Sequence, residues 1–145
     1  MFRYLFSVGC AVAACMCTAT MVLAQTPSPA NDRQRIATLK SIQTTVIRSV
    51  GAQDKSVEVT TTDNVLTVAR VNSNMNNSTH SGRNNEAAAI ASVVSKSITN
   101  NSALKNLNVI RVQYLVRGAS AADGKILDTV EFRKNVTGKF QFHET

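Results

Sequence analysis

The apolar residues of this chain fall into blocks with two different periods. Ile36, Leu39, Ile42, Val46 and Val50 recur at steps of three and four, with Arg33, Arg35, Lys40 and Arg48 largely off that stripe. The spacing predicts an amphipathic helix, opened by Asn31 or Asp32 as N-cap and ended by Gly51. The period then drops to two. Val57 and Val59 alternate with Glu58 and Thr60, Leu66 and Val68 alternate with Thr67 and Ala69, and Thr62-Asp63-Asn64 supplies hairpin turn residues between them. A second helical stripe follows over about Asn85 to Thr99, carried by Ala87, Ile90, Ala91, Val94 and Ile98.

The C-terminal third alternates throughout. Ile110, Val112, Tyr114 and Val116 face one way, and Arg111, Gln113, Leu115 and Arg117 the other. Beyond a loop over Gly118 to Lys125, Ile126, Val130 and Phe132 share a face opposite Thr129, Glu131 and Arg133. Val136-Thr137-Gly138 turns the chain, and Phe140 and Phe142 continue the apolar face opposite Lys139, Gln141 and His143. A period of two is what a sheet needs when one face meets helices and the other meets water. The expected fold is an α+β two-layer sandwich of order α-β-β-α-β-β-β, with a mostly antiparallel sheet and its helices on one face.

The order α-β-β-α-β, with a hairpin ahead of an alanine-rich helix, is similar to the BON domains of bacterial envelope proteins. The resemblance covers about Asp32 to Val116; Asp63-Asn64 stands where such domains usually carry a glycine, and the C-terminal hairpin is additional. It is one of topology, and it transfers no site residue.

Ahead of the folded region the pattern changes character. Met1-Phe2-Arg3 gives a short positive start, Tyr4 to Leu23 carry no charge, and Val22-Leu23-Ala24 places small or branched residues before Gln25. This is the pattern of a secretory signal peptide cleaved after Ala24. The apolar run, about 20 residues, also has the length of a retained anchor. Val12-Ala13-Ala14-Cys15 resembles a lipobox with Cys15 as the lipidated residue, although Met16 to Ala24 would then follow the lipid as a greasy segment. The expected organisation is a signal peptide over 1–24, a linker over 25–31 containing Thr26-Pro27-Ser28-Pro29, and a single domain over 32–145. Cys10, Cys15 and Cys17 all lie in the leader, so the chain after Ala24 has no thiol for a disulfide, a nucleophile or a metal.

Composition narrows the function. The chain has 145 residues, 43% of them hydrophobic, and a net charge of +7. The basic residues are dispersed, and the longest basic run is Arg133-Lys134, so nucleic acid is not the expected partner. No metal or cofactor is expected: His80 and His143 are the only histidines, and HExxH, GxSxG and Walker patterns are absent. Asp128 and Glu131 are close in sequence but fall on opposite sides of a strand, which does not suit a paired-carboxylate site.

Two stretches remain as binding candidates. The first is the wet face of the C-terminal sheet, where Arg111, Arg117, Arg133, Lys139 and His143 outnumber Glu131. The second is the polar run from Asn72 to Asn85, whose fourteen residues include six asparagines and only one apolar side chain of any size, Met75. There His80, Ser81 and Arg83 precede a helix and make an anion site conceivable; the plainer reading is a solvated connection capped by Ser81 or Asn84. The expected function is an exported, non-catalytic envelope or extracellular binding module whose basic sheet face meets an anionic partner: a lipid head group, a cell-wall polymer or an acidic protein. The alternatives are a secreted hydrolase with an atypical site near His80 and the 72–85 loop, and a structural protein that self-associates through its last strand. If the basic face binds, replacing Arg111 and Arg133 together by glutamine is expected to weaken binding and leave folding nearly intact.

Overall fold

The computed structural model describes residues 29–118 and 124–143. The proposed cleavage after Ala24 and lipidation at Cys15 lie outside the described residues. No helix among the described residues is long and apolar enough to cross a membrane.

Among the described residues, two helices pack on one face of a five-stranded sheet. Helix α1 spans Pro29–Val50, strands β1 and β2 span Val57–Thr62 and Val65–Val71, and helix α2 spans His80–Thr99. Strands β3, β4 and β5 follow at Val109–Val116, Lys125–Lys134 and Phe140–His143. The sheet order is β1-β2-β3-β4-β5, antiparallel except for the parallel pair β2–β3 that α2 connects. This is the α+β sandwich the alternation predicts.

Register turns the alternation into two faces. Toward the helices lie the rows Thr61-Leu66-Ile110-Phe132-Phe142 and Val59-Val68-Val112-Val130, and then Val57-Arg70-Tyr114-Asp128. The first two rows meet Ile42 and Val46 of α1 and Ala87, Ile90, Ala91, Val94 and Ile98 of α2, all buried. Leu104 and Leu107, in the short segment after α2, join this core. The third row is mostly polar.

Four local expectations are corrected. Helix α1 starts at Pro29, inside the expected linker, so Asn31 and Asp32 lie within its first turn and are not its cap; proline at a helix start sacrifices only an N–H that has no partner there. Its inward stripe runs through Arg35 in place of Ile36: Ile36 is 66% exposed, while the Arg35 guanidinium donates to Thr61 Oγ1 at 3.1 and 2.6 Å. Helix α2 starts five residues earlier than expected, at His80, with Thr79 as its cap; the Thr79 hydroxyl accepts from the Gly82 N–H at 3.1 Å, leaving Ser81 and Asn84 inside the helix. In β4 the register slips between Tyr114–Asp128 and Leu115–Ile126, which makes Leu127 a bulge residue. The bulge reverses the phase, so Ile126 lies on the outer face with Leu115 and not with Val130 and Phe132.

Candidate functional site

The outer face of the sheet carries the first candidate, and the helices leave it open. Register places Thr67-Arg111-Glu131-His143 in one row across it and Val65-Val109-Arg133-Gln141 in the next. Glu131 is 5% exposed. Its Oε1 accepts from Arg111 Nε at 2.8 Å and lies 2.7 Å from Arg111 Nη2 in an ion pair, and its Oε2 accepts from Arg133 Nη2 at 3.2 Å. Burial acts to raise the Glu131 carboxyl, but the bonds and charges of the two arginines outweigh it and hold the group below its ordinary value. The two guanidinium groups stay partly open, with side chains 36% and 52% exposed. The row therefore presents cation edges to solvent and keeps its carboxylate covered.

The other two cations predicted for this face are placed differently. Arg117 holds Glu58 of β1 through two bonds at 2.6 and 3.0 Å. That pair bridges over β2 beside Ala69, Val71 and Leu115, a small apolar cluster on the outer face. Lys139 precedes β5 in the turn that Asn135 organises, where Asn135 Oδ1 accepts from the N–H groups of Thr137 and Lys139. It lies beside the C-terminal end of α2, lining a hollow with Lys96, Thr99 and Asn100. Arg111, Arg133 and His143 thus come together, whereas Arg117 and Lys139 sit at separate margins.

The polar row on the helix side forms the second candidate. Asp128 Oδ2 accepts from Arg83 Nε at 2.6 Å and lies 2.8 Å from His80 Nδ1, while Arg83 Nη1 donates to the Ser78 carbonyl at 2.6 Å. Burial would raise the Asp128 carboxyl; hydrogen bonds and charge from Arg83 and His80 prevail and lower it. Beside it Arg70, 2% exposed, donates to Glu86 Oε1 at 2.7 Å and to Ser56 Oγ at 3.3 Å. Tyr114 donates its hydroxyl to the Arg83 carbonyl at 2.8 Å; burial, and then the Glu86 charge, push its ionisation far above the ordinary phenol value. His80, Arg83 and Glu86 form one stripe of α2, at steps of three, so the first two turns bring polar side chains onto the polar row.

This arrangement answers the expectation of an anion site. The carboxylate that Arg83 and His80 hold is Asp128 of the same chain. Ser81 is exposed in the first turn and takes no part in the cluster. Among the described residues no hydroxyl is hydrogen-bonded to His80, and Arg83 shares the Asp128 oxygen that His80 uses. His80 and His143 lie on opposite faces of the sheet, so one ligand cannot engage both.

The asparagine run is built into the sheet. Asn72 donates its main-chain N–H to the Leu115 carbonyl at 2.9 Å, and its amide side chain both accepts from the Arg117 N–H and donates to the Arg117 carbonyl at 2.8 Å. Asn76 Nδ2 donates to the Leu115 carbonyl at 3.0 Å, and Met75 packs against the core. The amides of Asn72 and Asn76 continue the β2–β3 ladder past its last regular pair, which accounts for two of the six asparagines without invoking a ligand.

Sequence reasoning missed Arg70 and Glu86 as partners. A signal was present, since Arg70 stands at core parity after Leu66 and Val68, and Glu86 adjoins the buried Ala87. Compared with known proteins, the chain matches no family model, no curated protein and no solved structure.

Proposed function

We propose that this chain is an exported, non-catalytic binding module that engages an anionic partner through its open sheet face. The observation that carries the reading is the Arg111–Glu131–Arg133 cluster: two partly open guanidinium groups flank one covered carboxylate on a face against which neither described helix packs. Guanidinium forks suit carboxylate and phosphate oxygens, and Gln113, Gln141 and His143 add hydrogen-bonding groups around them. Lipid head groups, cell-wall polymers and acidic protein faces all offer that chemistry. The hydrolytic alternative has a His80–Asp128 pair in its favour, but the pair serves to brace α2 and meets no nucleophile among the described residues.

Binding to anionic vesicles or an acidic polymer should fall steeply as salt rises, because the screening length shrinks from about 30 Å at 0.01 M to about 8 Å at 0.15 M. Arg133→Gln removes the more open fork and leaves Arg111 on Glu131, so binding should weaken several-fold while the fold persists. Arg48→Gln, an exposed change on α1, should leave binding unaltered. Equal binding by Arg133→Gln and the parent, measured by vesicle co-sedimentation at low salt, would refute the reading.

A further inference from the structure

The two edges of the sheet are not alike. On β1 the helix side guards the edge: Gln43 Nε2 of α1 donates to the Val57 carbonyl at 2.6 Å. On β5 no side chain among the described residues bonds to the main chain of 140–143. The direction of its free groups follows from the ladder. Lys134 donates its N–H toward β3, to Asn108, and Asn135 donates toward β5, to Lys139. Alternation then turns the main chains of Arg133 and Glu131 toward β5, and those of their partners Gln141 and His143 toward β4. Phe140 and Phe142 are left with N–H and C=O directed outward, away from the sheet.

The side chains at this edge are apolar as well. Phe142 is 53% exposed although it shares a row with buried Phe132, against which its ring packs edge-on at 6.0 Å. Beside it runs a hollow of about 320 Å³ between β5 and α2, walled by Phe132, Phe140, Phe142, Ala88, Ala91 and Ser92. Small residues on that flank of α2 leave room for a ring. The edge thus offers main-chain bonds at alternate residues and an apolar trough on the same side of the sheet, which is what an added strand with alternating large side chains requires.

We infer that β5 pairs antiparallel with β5 of a second copy about a two-fold axis at Gln141, joining two sheets into one. The segment that fits is β5 itself, because the register is self-complementary. Phe140 faces Phe142 of the other copy, and each outward main chain meets an outward main chain, so both rows of free groups are satisfied reciprocally. The paired aromatics lie on the helix side and fill both troughs, while Gln141 meets its own equivalent on the outer face. The inference goes beyond the anion-binding reading and stands independently of it. Should both hold, the two Arg111–Glu131–Arg133 clusters share one continuous face, with the β4 strands three spacings, or about 14 Å, apart.

The test is sedimentation velocity on the protein purified from its own host, over a range of concentrations, with hydrogen exchange followed at single amides. The expected result is a monomer–dimer equilibrium in which the Phe140 and Phe142 amides gain protection as the dimer forms. Phe142→Pro removes an N–H that β4 does not use and should give a monomer at every concentration. Phe142→Lys keeps that N–H, sets a charged amine against Phe140 of the other copy in place of an apolar ring, with the second lysine on the diagonal, and should also be monomeric, so the inference does not depend on one variant folding. A monomeric parent, a dimer that persists in either folded variant, or concentration-dependent protection at β1 would overturn it. Protection of the Phe140 and Phe142 amides in a protein that stays monomeric would mean that a foreign segment covers the edge, and that too overturns self-pairing.

Discussion

Glu131 shows how one side chain alters the meaning of its neighbours. Its carboxylate is covered and both oxygens are taken by Arg111 and Arg133, so these arginines are structural partners as well as surface cations. The expectation that Arg111→Gln/Arg133→Gln would fold almost as well as the parent is therefore corrected: the double change strands a buried carboxylate and should cost about 3 kcal/mol in chemical denaturation. Acid should act through the same group and through Asp128. Both carboxyls are held below their ordinary values of 4.5 and 3.8 in the folded chain. A group lowered by folding contributes its stability above the unfolded value and loses it as pH falls through the folded one. Stability should thus be level on this account above about pH 5 and decline below the ordinary carboxyl value of 4.5. Glu131→Gln should flatten part of that decline in denaturation curves taken across the acid range; an unchanged acid slope would show that Glu131 does not contribute to it.

Among the elements, α2 shows why period alone does not locate a helix start. Its apolar stripe begins at Ala87, and the helix was expected from about Asn85, yet it begins at His80 because the sheet row beneath its first turns is polar too. His80, Arg83 and Glu86 find Asp128 and Arg70 there, so the hydrophobic signal stops while the packing continues. Two changes separate the local contribution from the tertiary one. Thr79→Ala removes only the cap and should cost about 1 kcal/mol. Glu86→Ala leaves Arg70, 2% exposed, without its carboxylate and should cost more, about 3–5 kcal/mol. Urea titrations of the two variants would check the order, and a Glu86→Ala cost no larger than that of Thr79→Ala would show that the ion pair does not hold α2 to the sheet.

At the scale of the whole molecule, the contrast between Phe132 and Phe142 separates the core from the open trough. Phe132 is 6% exposed and Phe142 53%. Phe132→Ala should cost about 3–5 kcal/mol, and Phe142→Ala clearly less at concentrations where the chain is monomeric; equal losses in thermal melts would place Phe142 in the core of the single chain. By itself the sequence determined the class of fold, the order of its seven elements, the buried stripe of α2 and the sharing of one outer face by Arg111, Glu131 and Arg133. All of these rest on short-range periodicity, which the backbone geometry of helices and strands imposes residue by residue. The tertiary structure alone decided where phases slip and which charges meet. The bulge at Leu127 reverses Ile126, Arg35 replaces Ile36 on the inner stripe of α1, and Asp128, Glu86 and Glu58 receive partners 16 to 59 residues away in sequence. Such pairings depend on register between distant strands and on the need to neutralise each buried charge, and neither is written in the spacing of any one segment.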